Sequence, residues 1–228
     1  MSKLISEQSE WARVAQELEA EDLKLASYDG TLLDLLGDVE GRRILDYGCG
    51  PGVLASALLR GRGDVWTYDI SEEMRQLSGE KIGHEKVHSR VEDIHSDSYD
   101  TVICNLVMCI VDEEEVGNIS QNIRSALKDN QSRAYVGFCN PHLLNVPETQ
   151  LDFRPEPKCE YDENHSYMKT KKEGSYQIVE NHRPIEWYES VFAEAGLEVV
   201  KKHFTTEYEI AGKTVRDFII FELARGKE

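Results

Sequence analysis

The sequence predicts an α/β protein in which helices cover both faces of a mostly parallel β-sheet. Five strand-like apolar runs alternate with helical segments, which is the pattern of successive strand–helix units. Residues 99–107 are apolar without alternation, as in a strand that is buried on both faces. After the first strand, a turn with glycines at positions 48, 50 and 52 leads directly into a helix. Such a turn builds a ligand-binding pocket at the carboxyl edge of the sheet, because glycine lets a ligand approach the backbone.

Hydrophobic periodicity and turn residues define the individual elements. Ser71 is placed to cap a short helix, an acidic run begins the next one, and Pro184 and Gly196 bound the last. The predicted helices cover residues 4–36, 52–59, a short segment after 71, 112–127 and 185–195. The predicted strands cover residues 43–47, 64–68, 87–91, 99–107, 134–139, 197–204 and 215–223.

Length and composition fit a single domain over residues 1–228. The formal net charge is −17, so the field of the protein disfavours both a nucleic-acid substrate and an anionic membrane surface. The five cysteines include no C-x-x-C pair and are interpreted as free thiols in a reducing, cytoplasmic compartment. The polar N-terminus and the lack of a long apolar stretch predict neither a signal peptide nor a membrane span.

Residues 140–183 interrupt the strand–helix rhythm. This segment holds four of the six prolines and shows little apolar periodicity. Within it, residues 169–178 are predicted to form a short hairpin around the sequence Lys-Glu-Gly-Ser. Because long insertions at the ligand edge of a sheet are commonly binding loops, we interpret residues 140–183 as a lid. A surface elaboration without a ligand role is the alternative.

Residues 84–88, His-Glu-Lys-Val-His, match the H-E-x-x-H pattern of zinc proteases. That pattern works only when a continuous helix brings both histidines to one face. Here Gly83 directly precedes the match, and residues 87–91 are predicted to form a strand. We therefore interpret the match as a coincidence on a surface connection and expect no metal site.

The glycine spacing indicates which ligand the turn holds. A dinucleotide fingerprint needs G-x-G-x-x-G, whereas Gly50 and Gly52 continue a G-x-G-x-G run and Val53 stands at the dinucleotide position. Asp46 lies two residues before the first glycine, and Asp69 ends the next strand, where a carboxylate can accept both ribose hydroxyls. This arrangement resembles motif I of the class I S-adenosylmethionine-dependent methyltransferases. The nearest resemblance is to their small-molecule, quinone-biosynthesis-like branch (methyltransferase type 11/12).

The resemblance implies a Rossmann-like seven-stranded sheet with strand order 3-2-1-4-5-7-6, in which strand seven is antiparallel. It also implies S-adenosyl-L-methionine as the cofactor and S-adenosyl-L-homocysteine as the product. Residues 1–40 would form a helical cap over the cofactor, and residues 140–183 would form an acceptor-binding lid. The implied cofactor-binding residues are Trp11, Tyr28, Asp46, Gly48, Gly50, Asp69, Ile70, Val91, Glu92 and Asn105.

The resemblance assigns parts of the cofactor to some of these residues. Ile70 would lie against one face of the adenine, and Val91 and Glu92 would hold the adenine edge. Asn105 would lie near the methionine part. Trp11 and Tyr28 are candidate contacts from the cap, and simple packing against the sheet is an equal alternative for both.

The implied reaction is an in-line displacement in which an acceptor O, N, S or C atom attacks the sulfonium methyl. His182 is the first candidate for a general base and His142 the second, because histidine titrates near neutral pH. A histidine that is simply bonded to backbone is the alternative for each. The candidate acceptor-binding residues are Tyr161, His165, Tyr167 and Arg183.

Other functions stay open at this level. Residues 105–108, Asn-Leu-Val-Met, do not form the N-P-P-[YF] motif of methyltransferases that act on amino groups of nucleic-acid bases. A methyltransferase directed at RNA or protein, or a non-catalytic S-adenosylmethionine-binding protein, is the alternative to small-molecule activity. We expect a small-molecule acceptor as the partner and a monomeric or homodimeric protein.

Overall fold

A computed structural model describes residues 3–5, 26–144, 146, 160–170 and 176–226. The helices are α1 Ala26–Leu36, α2 Val53–Arg60, α3 Glu72–Ile82, α4 Glu113–Ala126 and α5 Ile185–Glu194. The strands are β1 Lys3–Ile5, β2 Arg43–Tyr47, β3 Asp64–Tyr68, β4 Val87–His88, β5 Thr101–Asn105, β6 Arg133–Cys139, β7 His165–Thr170, β8 Tyr176–His182, β9 Leu197–Phe204, β10 Tyr208–Ile210, β11 Lys213–Val215 and β12 Phe218–Arg225. Three 3₁₀ turns cover His84–Lys86, Val91–Asp93 and Pro141–Leu143.

Seven strands form the main sheet in the order β4-β3-β2-β5-β6-β12-β9. Counted along the chain within this sheet, the order is 3-2-1-4-5-7-6. The last strand, β12, runs antiparallel to both β6 and β9. The predicted Rossmann-like topology is therefore confirmed. The strand order reverses between β2 and β5, so a crevice opens where these strands end, at the carboxyl edge of the sheet.

Apolar side chains fill both sides of the main sheet. Neighbouring residues of a strand point to opposite faces, so Leu45 and Ile44 belong to separate clusters. α4 and α5 cover the Leu45 side, whereas α1 and α2 cover the Ile44 side. Because both faces are buried by apolar packing, the carboxyl edge is where the strands can present polar groups.

The cap predicted at Ser71 is present, and the acidic start predicted for the next helix also supplies a cap. The Ser71 hydroxyl accepts a hydrogen bond from the Met74 amide at 3.3 Å, which caps α3. The Asp112 carboxylate accepts from the Glu115 amide at 2.8 Å and caps α4. Acidic residues in the first turns of both helices also face the positive ends of the helix dipoles.

A second, three-stranded sheet lies at the carboxyl edge and consists of β1, β8 and β7. The β7–β8 hairpin confirms the hairpin predicted for residues 169–178, although its arms are longer. The Asn181 amide donates to the Cys109 carbonyl at 2.7 Å, and Asn181 Nδ2 donates to the Val111 carbonyl at 3.0 Å. These two bonds fasten the hairpin to the loop that follows β5.

Several predicted boundaries differ from those in the structure. Residues 3–5 are strand rather than the predicted helix from residue 4, since they pair in parallel with β8. The strand predicted at 87–91 ends at His88 and gives way to a 3₁₀ turn. The strand predicted at 215–223 begins at Phe218, because Val215 pairs with Tyr208 in a separate two-stranded ribbon, β10–β11.

The H-E-x-x-H match does not lie on a continuous helix. Residues 84–86 form a 3₁₀ turn and residues 87–88 form β4. His88 Nε2 lies 2.7 Å from the Tyr99 hydroxyl, and the His88 ring stacks on Trp66. In the part of the chain that is described, no helix has both the length and the apolar character needed to cross a bilayer.

Candidate functional site

The glycine turn after β2 exposes backbone at the crevice. Gly48, Gly50 and Gly52 have φ values of 75°, 52° and 79°, which favour glycine over residues with a side chain. A Cβ on Gly48 would lie 2.3 Å from Val107 Cγ2, and one on Gly52 would lie 2.8 Å from Ser78 Cα. A Cβ on Gly50 would meet nothing within 4 Å. Gly48 and Gly52 are thus required by packing, whereas Gly50 faces open space.

Asp69 joins this turn to the end of β3. Its Oδ2 accepts a hydrogen bond from the Gly50 amide at 2.9 Å, and its Oδ1 accepts from the Ser71 amide at 2.9 Å. Burial raises the pKa of Asp69, and the hydrogen bonds to the backbone partly oppose that shift. Each carboxylate oxygen can accept more than one hydrogen bond, so ligand hydroxyls can still be bound. The next residue, Ile70, has a side chain that is 49% exposed.

Asp46 brings a second carboxylate to the same edge, and it is only 2% exposed. Its Oδ2 accepts no hydrogen bond from the described residues. Burial, and then the charge of Asp69, raise the pKa of Asp46 to about 7. A buried carboxylate oxygen without a donor is costly in a folded protein, and a cationic or donating ligand would relieve that cost. This chemistry fits a sulfonium or ammonium group at the crevice.

Comparison with known proteins agrees with this geometry. Residues 44–130 match the family model described as a methyltransferase domain. This range contains the glycine turn, both carboxylates and strands β2 to β5. The match agrees with the resemblance to methyltransferases over these residues.

Individual relatives extend the comparison. Ubiquinone biosynthesis O-methyltransferase from Bordetella avium is 33% identical over 81 residues, and the match spans only a third of that protein. A S-adenosylmethionine dependent methyltransferase from Mesorhizobium loti aligns with a TM-score of 0.64 at 18% identity, covering 88% of this chain and 98% of that one. Magnesium protoporphyrin IX methyltransferase from Synechocystis PCC 6803, solved with bound SAH, aligns with a TM-score of 0.57 at 18% identity, covering 88% and 84%. These structures share the fold of this chain.

Tyr28 contacts the crevice through another residue, Asn105. Its ring is fully buried, and its hydroxyl donates to Asn105 Oδ1 at 2.6 Å. A Cβ on Gly137 of β6 would lie 1.8 Å from the Tyr28 oxygen, so only glycine leaves room for it there. Asn105 ends β5, and the next residue, Leu106, has a positive φ of 57° that turns the chain away. Tyr28 thus orients the Asn105 amide instead of offering its own ring face.

The other predicted cofactor-binding residues lie just after β4 or outside the described residues. Val91 begins the 3₁₀ turn that follows β4 and packs partly against the core. Glu92, beside it, is exposed. Trp11 falls in the part of the chain that the structure does not describe.

His182, at the end of β8, is 4% exposed. Its Nε2 lies 2.8 Å from the Tyr161 carbonyl oxygen, and because a carbonyl only accepts, this nitrogen carries the proton. The basic lone pair is therefore on Nδ1. Burial lowers the pKa of His182, which leaves the imidazole neutral at pH 7.

Three further aromatic rings pack in a cluster with His182. The His165 ring centroid lies 5.0 Å from that of His182, and the Tyr161 centroid lies 5.7 Å away. His142 stacks on Tyr161 at 4.8 Å with the two planes almost parallel. The Tyr161 hydroxyl accepts from the Ile185 amide at 3.0 Å, which fixes this cluster to the start of α5. The structure thus brings both predicted candidate bases together with two of the predicted acceptor contacts.

Arg183 is an anchor for the loop after β5. Its Nη1 donates to the Met108 carbonyl at 2.9 Å, and its Nη2 donates to the Val111 carbonyl at 2.7 Å. The guanidinium also lies 4.9 Å from the centre of the Trp187 ring. Although the sequence suggested an acceptor contact, these bonds commit the guanidinium to holding the loop in place.

Sequence reasoning missed Glu180, which is 2% exposed on β8. It lies opposite Tyr167 in the hairpin register and two residues from His182, so both belong to one strand face. Burial and the charge of Glu180 raise the pKa of Tyr167, which therefore stays a hydrogen-bond donor at neutral pH. With Cys109 and other residues, this face lines a crevice of about 20 Å³, room for one water-sized group. The sequence signal that could have identified Glu180 is its spacing of two residues from His182, which places both side chains on the same face of a strand.

We expect Asp46→Asn to stabilise the ligand-free protein most above pH 7. Because the folded-state pKa of Asp46 is raised from 3.8 to about 7, folding favours the protonated acid. The wild-type free energy of unfolding then falls as pH rises from about 4 to 7 and levels off above that, by up to roughly 4 kcal/mol. Urea denaturation from pH 4 to 8 measures this slope. The exposed Asp34→Asn removes the same charge as a control, and an unchanged slope in Asp46→Asn would contradict the assignment.

We expect Gly137→Ala to destabilise the protein by roughly 1–3 kcal/mol, since the new methyl group overlaps the Tyr28 hydroxyl. The matched control is Gly117→Ala, on α4, where a Cβ meets nothing within 4 Å. This control should be neutral or gain about 1 kcal/mol from helix propensity. Thermal and urea unfolding compare the two variants, and equal effects would show that Tyr28 does not need the space above Gly137.

Proposed function

We propose that this protein transfers a methyl group from S-adenosyl-L-methionine to a small-molecule acceptor and releases S-adenosyl-L-homocysteine. The observation that carries the proposal is the bond between Asp69 and the Gly50 amide, beside open space at Gly50. This bond holds a carboxylate, of the kind that binds ribose hydroxyls, against exposed backbone at the point where the strand order reverses. The matched methyltransferase domain and the Synechocystis structure solved with bound SAH support the same cofactor.

The residues present fit that cofactor by their chemistry. Asp69 would accept from the ribose hydroxyls, and the exposed Ile70 side chain would cover an adenine face. Asp46, buried beside the turn, has the charge and the free acceptor capacity that a cationic ligand requires. Val91 and Glu92 would border the adenine edge, whereas Gly48, Gly50 and Asn105 would border the methionine part.

When bound, the cofactor supplies an electrophilic methyl group on a positively charged sulfur. The chain would then have to align the acceptor, exclude water and, for some acceptors, remove a proton. His182 suits the last role, because it is neutral near pH 7 and its Nδ1 is the unprotonated nitrogen. His142 is the second candidate, with its ring stacked on Tyr161.

The acceptor side consists of the β7–β8 hairpin and the end of β6. Tyr161, His165 and Tyr167 would contact the acceptor, together with Glu180, while Arg183 would keep the loop after β5 in register. We propose that the segment 140–183 acts as the acceptor lid and that residues 26–36 belong to the cap.

The relative from Bordetella avium is named as an O-methyltransferase, which favours an oxygen acceptor here. The net charge of −17 also favours a small molecule over nucleic acid. Cys49 and Cys104 are buried free thiols, which supports a reducing, cytoplasmic setting.

A methyl-transfer screen tests the proposal. The protein is incubated with S-adenosyl-L-methionine carrying a tritiated methyl group and with separate pools of phenols, amines, thiols, RNA and peptides. We expect label in a small-molecule pool and loss of that label in Asp69→Ala. Label only in RNA or peptide, or in none of the pools, would contradict the proposed activity.

We expect His182→Gln to lower kcat by about 10²- to 10⁴-fold if the acceptor must lose a proton, with a smaller effect on KM. The wild-type kcat should also fall at low pH with a midpoint below 6.5, since burial lowers the pKa of His182. The variant should lack that inflection. His88→Gln removes a similarly buried histidine, which bonds Tyr99 and is not a candidate base, as a control. Full turnover by a folded His182→Gln would remove this residue as the base.

A further inference from the structure

Arg75, on α3, bonds the backbone of the two residues that follow β3. Its Nη1 donates to the Asp69 carbonyl at 2.8 Å and to the Ile70 carbonyl at 2.9 Å. An Nη atom of arginine carries two hydrogens, so it can bond both carbonyls at once. The side chain therefore reaches back from the helix and fastens the connection between β3 and α3.

This connection lies beyond the strand ladder of the main sheet. Tyr68 is the last residue of β3, and it pairs with both β2 and β4. Asp69 and Ile70 then lead to Ser71, which caps α3. Backbone carbonyls in such a connection need partners from outside the ladder, and the Arg75 guanidinium supplies them.

Asp69 is thus held at its main chain as well as at its side chain. The Gly50 and Ser71 amides donate to its carboxylate, whereas Arg75 donates to its carbonyl. Burial raises the pKa of Asp69, and the backbone hydrogen bonds and the charge of Arg75 oppose that rise. Arg75 therefore favours the ionised carboxylate, which only accepts hydrogen bonds and so suits ribose hydroxyls as donors.

The position of Arg75 in α3 is unfavourable for a cation. The helix begins at Glu72, so Arg75 lies about one turn from the N-terminus. The helix dipole favours acids there, such as Glu72 and Glu73, and disfavours cations. The bonds to the two carbonyls offset that cost, which indicates a role for this side chain at the connection and not in the helix.

α3 braces the other border of the crevice in the same way. Lys81 Nζ donates to the Pro51 carbonyl at 2.9 Å, within the glycine turn. A Cβ on Gly52 would lie 2.8 Å from Ser78 Cα, so the turn also packs directly on this helix. One helix therefore holds both backbone segments that border the crevice, each through a cationic side chain.

We propose that Arg75 is a positioning residue for ribose recognition, which holds the Asp69 carboxylate where it can accept the ribose hydroxyls. The inference rests on the proposed function, because that function assigns Asp69 to the ribose. Without the two carbonyl bonds, the backbone at residues 69–70 would be less constrained. The carboxylate would then meet the hydroxyls at poorer angles, and hydrogen bonds weaken steeply with misalignment.

Calorimetric titration with S-adenosyl-L-homocysteine and its 2′-deoxy analogue tests this role. The two compounds differ by one hydroxyl, so the ratio of their dissociation constants measures ribose recognition. We expect the wild-type protein to prefer the ribose compound at least tenfold, because a site built to bond a hydroxyl rejects a ligand that lacks it. Arg75→Met and Arg75→Gln, which both keep a good helix former in α3, should each lower that preference at least threefold.

Arg133→Met is the matched control. Arg133 Nη1 also donates to backbone carbonyls, those of residues 130–132, but it lies at the start of β6, at the opposite edge of the sheet. This variant removes a similar anchor and should leave the ribose preference unchanged. Because the preference is a ratio measured on one preparation, a lower folded fraction does not alter it.

A double variant shows whether Arg75 acts through Asp69. Asp69→Asn combined with Arg75→Met should have the same ribose preference as Asp69→Asn alone, since residues that act as one unit are not additive. A further threefold loss in the double variant would mean that Arg75 contacts the ribose itself. That result would overturn the positioning role.

The same titrations separate this inference from the proposed function. Binding of S-adenosyl-L-homocysteine with an unchanged ribose preference in both Arg75 variants would defeat the inference and leave the methyltransferase proposal standing. Equal affinity of the wild-type protein for the two compounds would have the same meaning. Absence of any binding of S-adenosyl-L-homocysteine to the wild-type protein would instead defeat the methyltransferase proposal, and the inference with it.

Discussion

The two backbone hydrogen bonds to Asp69 are the constraint on which the site depends. They join the amide of Gly50, in the turn after β2, to the amide of Ser71, which caps α3. Two consecutive strand–helix units are thereby locked in register at the carboxyl edge. With that register fixed, the open face of Gly50 and the exposed side chain of Ile70 border the same crevice. Without it, the glycine turn would have many accessible conformations and no reason to keep a ligand-sized opening.

Two buried acidic groups at the carboxyl edge of the sheet lower the stability of the ligand-free protein. Asp46 and Asp69 both have raised pKa values, chiefly because burial disfavours their charged forms. Buried groups that lower stability are typical of functional sites, because a bound ligand can supply the hydrogen bonds or the opposite charge that they lack. A cation in the crevice would favour ionised Asp46, so its binding should also release a proton near neutral pH.

Much of the fold could be predicted because its signals are local in sequence. The glycine spacing, the acid after β3, the cap at Ser71 and the acidic start of α4 are each defined within a few residues. The pairing of β1 with β8 could not be predicted in this way, since it joins segments about 170 residues apart. Val215 was likewise assigned to the last strand, because its pairing with Tyr208 in the ribbon depends on a turn and a partner strand together.

Residue types at the site were easier to predict than their roles. Tyr28 and Arg183 were chosen as direct ligand contacts, yet one bonds Asn105 and the other bonds two carbonyls of the loop after β5. Those partners are set by tertiary packing, which a sequence pattern does not specify. Glu180 was missed for the same reason, since its burial arises only when the hairpin folds over the sheet.

Calorimetric titration of S-adenosyl-L-homocysteine tests the central claim most directly. The account predicts one binding site in the wild-type protein and at least tenfold weaker binding in Asp69→Asn. Asp64→Asn, at the start of the same strand, should bind like the wild type. Absence of binding to the wild-type protein, with a nicotinamide dinucleotide bound instead, would contradict the account.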